Sequence, residues 1–527
     1  MAEQSLAHMY KDGDKIFNHY TYCLCGDGCL EEGISQEAIS FAGLQKLNKL
    51  ILMYDCNDVT LDGPLSNSSV ENTVGRFQSA GWNVIKVEDG NSVEDIDKAI
   101  TIAKQSQEKP TMIMVHTVIG YGSAKQGTHK VHGSPLGIED GEHAKKVYGY
   151  NYGPFEVPEE VYYTFRESFV KRGQEAYANF AKVWKDYKDE NYDEALKIES
   201  TVDNDVSTLV YKDIPSYSEE FADSTRNCSG ACLNILNKQV FNLIGGSADV
   251  AGSVMTHIKD ETDFTATNRS GRNVNWGIRE FAMAAMQNGM LLHGGLRTYV
   301  GCFLVFADYL KPAVRMAALS GLPAIYLLSH DSIAVGEDGP THQPIEQLAM
   351  LRSIPNVNVI RPCDARETAA AWKVALESTR TPTCLILSRQ KLPMIYSTSY
   401  AGVAKGGYVV SPEKEKLDFT IIATGSEVSL AVEAQKKLLA DGIDTRVVSM
   451  PSMNAFAQQD EAYIEKVLGA PYEKRIAVEM LSSFGWHKFA KNVMSIERFG
   501  ASGPADDVIP SYGFTADNLA SIVKKCL

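Results

Sequence analysis

Short apolar runs alternate along the chain with longer stretches in which apolar positions recur at helical spacing. Leu50 to Tyr54, Trp82 to Val87 and Thr111 to Thr117 predict buried strands. Ser35 to Leu47, Asn72 to Ala80 and Val93 to Gln105 predict the helices between them. Ala2 to Met9 has the pattern of a helix end, and Lys11-Asp12-Gly13-Asp14 that of a turn. A first strand then runs from about Tyr20 to Cys25. Residues 138 to about 212 differ: they are charged, rich in Glu, Lys and Tyr, and helical in period, as expected of a connector on the surface. A second alternating pattern starts near Asp223. Its predicted strands are Phe241 to Ile244, Ala324 to Leu328, Val357 to Arg361 and Thr383 to Leu387; Val274 to Gly277 precedes a helix from Phe281 to Leu291, and the segment Thr298 to Phe306 holds Phe303 and Phe306. A third begins at about Lys405, with strands Thr420 to Ala423, Thr445 to Met450 and Ile476 to Glu479 and a helix Val428 to Ala440. Strands alternating with helices indicate α/β domains with parallel sheets. The expected division is 1–137, a connector 138–212, then 213–400 and 401–527. The last domain shows few convergent polar groups and is expected to be structural or a dimer contact.

Composition agrees with several domains. The 527 residues are too many for one core, and 44% hydrophobic with 22% charged is ordinary for a globular enzyme. A net charge of −15 argues against a nucleic-acid surface and against binding to anionic membranes. No apolar run is long enough to span a bilayer, and no signal peptide is recognisable. The ten cysteines are scattered without a Cys-x-x-Cys pair, which fits a reducing cytoplasm. Cys23, Cys25 and Cys29 match no common zinc spacing and are expected to be small core residues.

Candidate chemistry concentrates at predicted strand ends. Gly26-Asp27-Gly28 ends the first strand and Asp55-Cys56-Asn57 the second, with one helix between. A right-handed strand–helix–strand unit brings such ends together at the carboxyl edge of a sheet. An Asp carboxylate and an Asn carbonyl are hard ligands suited to Mg²⁺ or Ca²⁺, with phosphate oxygens completing the shell. Gly26 and Gly28 leave room for a diphosphate beside the backbone. Further along, Ile119-Gly-Tyr-Gly-Ser123 and Gly127-Thr-His-Lys-Val-His132 form a glycine-rich loop with two histidines. In the second domain Ser329-His330-Asp-Ser332, the loop Gly336 to Pro344 and Ser388-Arg389-Gln390 follow strands in the same way.

These motifs, with His132-Gly-Ser-Pro-Leu-Gly137, Gly246-Ser-Ala-Asp249, Gly277-Ile-Arg-Glu280 and Gly336-Glu-Asp-Gly-Pro-Thr-His342-Gln-Pro, give the chain a resemblance to transketolase from its start to its end. The resemblance implies three doubly wound α/β domains of the thiamine-diphosphate enzyme type. It implies transfer of a two-carbon ketol unit from a ketose phosphate to an aldose phosphate, as in the pentose phosphate pathway, with thiamine diphosphate and Mg²⁺ (Ca²⁺ or Mn²⁺ as alternatives). The metal then takes Asp27, Asn57 and the backbone carbonyl of Val59. Gly28, Ile119, His132 and Asp249 border the cofactor, Phe303 and Phe306 wall its pyrimidine, and Glu280 hydrogen-bonds a pyrimidine ring nitrogen. His132, His330 and His342 move protons and hold hydroxyls, Asp338 selects a sugar hydroxyl, and Arg226, Ser253 and Arg389 bind substrate phosphate. The implied assembly is a cytoplasmic homodimer with the cofactor between subunits.

Against the family pattern, the first domain is expected to lack its N-terminal part, with family histidines and sheet strands. Three explanations are open: a separate N-terminal chain, a truncated gene, or a protein without activity. The rival function is therefore a subunit or inactive remnant that needs such a chain. A third reading is a related thiamine enzyme with a different acceptor.

Overall fold

The computed structural model describes residues 1–202 and 215–527. The expected boundary at residues 212 and 213 lies outside the described residues. Apart from Met1 and Ala2, the chain divides into two compact units: residues 3–198 with 265–270, and residues 199–264 with 271–527.

In the first unit β1 (Thr21–Gly26), β2 (Leu50–Cys56), β3 (Asn83–Val87) and β4 (Thr111–His116) form a parallel sheet in the order β1-β2-β4-β3. Ile51, Met112 and Ile113 are fully buried in it. The helix joining β1 to β2 is Gly33–Leu44, shorter at its end than the periodicity predicts. Lys46 adopts left-handed backbone with φ 48°, and the Leu47 N–H returns to the Ala42 carbonyl at 3.1 Å, which caps the helix early. Helix Val93–Lys104 starts where the Ser92 hydroxyl accepts from Asp95 N–H, with Glu94 and Asp95 in the first turn and Lys104 in the last. The stretch after residue 137 is helical as expected, in Ile138–Tyr148, Glu159–Phe165, Lys171–Glu190 and Tyr192–Val202.

One expectation is corrected here. Cys23 and Cys29 are exposed and Cys25 only half-buried, so they are not core residues. Among the described residues β1 is an edge strand, and Leu24 beside them is 79% exposed. Cys25 packs against the cluster of Leu30, Leu52 and Tyr54, whereas Cys23 and Leu24 lie on the uncovered part of the strand and Cys29 on the exposed side of helix Asp27–Glu31.

In the second unit a short antiparallel pair, β5 (Ala222–Asp223) with β12 (Leu392–Pro393), flanks a parallel sheet. That sheet comprises β6 (Leu243–Ser247), β7 (Asn273–Asn275), β8 (Arg297–Phe303), β9 (Ile325–Ser329), β10 (Asn358–Ile360) and β11 (Thr383–Leu387). Its order is β10-β11-β9-β8-β6-β7 among the described residues. Gly246 in β6 has a structural reason: a Cβ there would lie 1.9 Å from the Val274 carbonyl oxygen of neighbouring β7. A further sheet runs β13-β15-β14-β16-β17, from β13 (Tyr408–Ser411), β14 (Phe419–Ala423), β15 (Thr445–Ser449), β16 (Arg475–Val478) and β17 (Asn492–Met494). Only β13 is antiparallel to its neighbour. Trp372, fully buried on helix Ala365–Glu377, packs between these layers and donates its indole N–H to Ser229 Oγ at 2.8 Å.

Candidate active site

The register of the first sheet sets Gly26 of β1 opposite Asp55 of β2. Asp27 and Asn57 therefore leave the sheet together at its carboxyl edge. Asp27 is buried, and its carboxylate accepts from the Tyr54 hydroxyl at 2.5 Å and from the Asn57 backbone N–H at 3.3 Å. Burial pushes its carboxyl pKa up, against the lowering effect of those two hydrogen bonds. Donor atoms of Asp27, Cys56 and Asp58 lie within 4.8 Å of one another. Burial also raises the Cys56 thiol, which favours the protonated form and leaves oxygen as the donor set. The Asn57 amide bridges Asp55 and the Val59 N–H, at 3.3 and 3.1 Å, so its carbonyl side faces the start of the Val59 turn. A buried carboxylate beside a second carboxylate and an amide carbonyl is a donor set that fits Mg²⁺ or Ca²⁺. At Gly28 an added Cβ would meet open space, which leaves the backbone approachable.

Past β4 the Thr117 hydroxyl bonds to Asp55, and the Gly127 N–H closes on Ile119 O at 2.8 Å. His132 follows the short 3₁₀ turn His129–Val131, and its Nδ1 is buried without a hydrogen-bond partner among the described residues.

In the second unit, register again explains what meets. Phe303 of β8 and Leu387 of β11 both lie opposite Ser329 of β9. His330 therefore emerges between Phe303 and Ser388-Arg389. It is 3% exposed, with left-handed backbone at φ 63°, and its Nδ1 is 2.8 Å from Ser329 Oγ. The Phe303 and Phe306 rings are nearly parallel, 11° apart with centroids at 6.2 Å, and the His342 ring stands edge-on to both. Burial lowers the His330 pKa to about 3, helped by the charges of Arg226, Arg389 and His342. Arg226 donates to the Ser253 backbone carbonyl at 2.8 Å. Arg389 is exposed at the end of β11. Glu280 is the first residue of helix Glu280–His293, half-buried, and its charge acts on buried Cys302 at the end of β8. Asp249, with φ 61°, is exposed in a loop, and Asp338 is exposed at the end of the 3₁₀ helix Ile333–Asp338.

Comparisons with known proteins bear on these motifs along the whole chain. Residues 1–207 match the family description "Transketolase, thiamine diphosphate binding domain", residues 222–394 "Transketolase, pyrimidine binding domain", and residues 406–515 "Transketolase-like TK C-terminal domain". The chain belongs to the transketolase family. Transketolase of Bacillus subtilis is 49% identical over 538 residues, covering 99% of this chain and 80% of the relative. A probable transketolase of Streptococcus pneumoniae is also 49% identical, with the same coverage. Transketolase from Leishmania mexicana superposes with a TM-score of 0.95 at 40% identity, over 100% of this chain and 78% of that one. A Pichia stipitis transketolase solved with sedoheptulose 7-phosphate gives 0.95 at 39% identity, over 100% and 79%. Transketolases transfer ketol groups with thiamine diphosphate and a divalent metal such as Mg²⁺ or Ca²⁺, and this chain is an enzyme of that kind. These matches cover 99% of this chain and 80% of the relatives' own length, and they give no support to a separate N-terminal chain.

Sequence reasoning missed Tyr54 and Asp58, and it gave no role of their own to Ser329 or to Thr341, which lies 2.9 Å from His342 Nδ1. Ser329 and Thr341 directly precede their histidines, a signal that could have found them. Tyr54 meets Asp27 only through the parallel register.

Proposed function

We propose that this transketolase-family chain moves a two-carbon ketol unit between sugar phosphates through the residues that share the two carboxyl edges. The observation that carries the reading is the ring cluster of Phe303, Phe306, His330 and His342 at the ends of β8 and β9.

Asp27, Asn57 and the Val59 carbonyl would hold the divalent ion, and Gly28, Ile119, His132 and Asp249 would line the cofactor. When bound, thiamine diphosphate supplies the electron sink for breaking the bond beside the ketose carbonyl. Phe303 and Phe306 offer flat apolar walls to the pyrimidine, and Glu280 a carboxylate to its ring nitrogen. His330 stays neutral, so it can accept or donate a hydrogen bond to a sugar hydroxyl without charging. His342 and His132 move protons on and off substrate oxygens. Asp338 orients a hydroxyl. Arg226 and Arg389 supply guanidinium donors for a phosphate, with Ser253 beside Arg226.

We further read the domain bounds as 1–137, 138–212, 213–400 and 401–527; family matches over 1–207, 222–394 and 406–515 support the two later boundaries in outline. The assembly is a homodimer, as is typical of the family. No described helix is long and apolar enough to cross a membrane, and the cysteines are all free, which supports a cytoplasmic location. The experiment is a kinetic comparison of Glu280→Gln and His342→Ala with the parent chain, cofactor and metal present. Loss of about a hundredfold in kcat in each supports the roles; parental kcat in both contradicts them.

A further inference from the structure

Asp331, next to His330, is buried. One of its carboxylate oxygens accepts from Arg361 Nε at 2.9 Å, and the other has no hydrogen-bond partner among the described residues. Arg361 is fully buried just past β10. Its guanidinium donates to both carboxylate oxygens of Glu427 and lies 3.8 Å from Glu479. Glu479 receives a two-pronged bond from Arg352, at 2.8 and 2.9 Å, and another from the Trp486 indole at 2.7 Å. His330, Arg352 and Arg361 fall in the pyrimidine-domain match, whereas Glu427 and Glu479 fall in the C-terminal match.

Buried ion pairs are a poor source of stability, because desolvation offsets their attraction. This cluster therefore calls for a positional explanation. His330 supplies one. A left-handed backbone at a residue other than glycine persists only where its surroundings over-determine it. The Ser329 contact and the Phe303 stack hold the imidazole, and the Asp331–Arg361 pair holds the chain immediately after it.

We propose that Asp331 and Arg361, braced by Glu427 and Glu479, are positioning residues that fix His330 against Phe303. The C-terminal domain thereby sets the geometry around His330. The proposal rests on the reading of His330 as a substrate-binding group.

The test uses the full chain with cofactor and metal, and has two readouts. One is the split of kcat against KM in ketol transfer. The other is acylation of His330 by diethyl pyrocarbonate, read by peptide mass spectrometry, which needs no turnover. Asp331→Ala is expected to lower kcat about a hundredfold with little change in KM, as a misplacement of about an ångström does. Release of the ring is expected to raise His330 labelling about tenfold. Asp331→Asn keeps an acceptor for Arg361 Nε and should restore most of both. Parental kcat and labelling in Asp331→Ala would overturn the proposal, as would an Asp331→Asn variant no better than the alanine. If Asp331→Ala does not fold, Glu427→Gln decides by the same labelling: a rise supports the proposal, and an unchanged rate overturns it. If the parent chain transfers no ketol units, the labelling contrast still decides the positioning claim, and the failure belongs to the proposed function.

Discussion

The imidazole of His330 lies against the ring of Phe303, with centroids 3.8 Å apart and planes 28° apart. The contact places a titratable ring in an apolar slot at the end of β9, next to two guanidinium groups. Burial, then the positive charges of Arg226, Arg389 and His342, favour the neutral imidazole.

A pH dependence follows. Native His330 titrates at about 3, and an unfolded histidine near 6.5. Between those values the unfolded chain binds a proton that the native chain does not, so stability rises with pH across the window and falls as pH drops. At pH 4 this residue alone costs about 3 kcal/mol relative to pH 7. Imidazole NMR should show no titration of His330 between pH 5 and 8, and His330→Gln should flatten the acid limb of the denaturation midpoint.

Removing the buried carboxylate tests the metal site. Asp27→Ala is expected to weaken Mg²⁺-dependent uptake of thiamine diphosphate by about a hundredfold in calorimetric titration. Asn57→Ala should act in the same direction. Cys56→Ser should bind normally if, as proposed, oxygen atoms alone hold the ion.

Arg389 is exposed, so its replacement should leave folding untouched. On the proposed role, Arg389→Leu would remove charge-assisted hydrogen bonds to a phosphate, a loss of about 2 kcal/mol. KM for a phosphorylated ketose should rise about thirtyfold. Kinetics with the corresponding unphosphorylated ketose should change little.

Two left-handed glycines separate backbone strain from crowding. Gly425, at φ 57°, would place a Cβ 2.7 Å from the Arg361 guanidinium, whereas at Gly442, φ 80°, it meets open space. Gly442→Ala is expected to cost about 1 kcal/mol from backbone strain alone. Gly425→Ala should cost about 3 kcal/mol, because it also displaces a buried ion pair. Thermal denaturation midpoints of the two variants give the comparison.

How far the sequence could be followed depends on the range of the forces involved. Leu50 to Tyr54 and Thr383 to Leu387 were legible because a buried parallel strand is an uninterrupted apolar run. Asp27, Asn57 and His330 were legible because loops at carboxyl edges concentrate polar residues. β13 escaped because it is short, antiparallel and broken by a register shift between Val409 and Ser411. Arg361 read simply as the end of a strand. Its partner Glu427 lies 66 residues away, and no local pattern announces such a pair. Cys23 and Cys29 were misjudged because small apolar residues near a strand look alike whether the strand is central or at an edge.

The central claim is ketol transfer by this chain. The direct measurement follows an isotopically labelled two-carbon unit from xylulose 5-phosphate to ribose 5-phosphate, with thiamine diphosphate and Mg²⁺ present. The account predicts label in a seven-carbon ketose phosphate, abolished by chelation and by Glu280→Gln. A folded chain that binds cofactor and metal yet moves no label would contradict it.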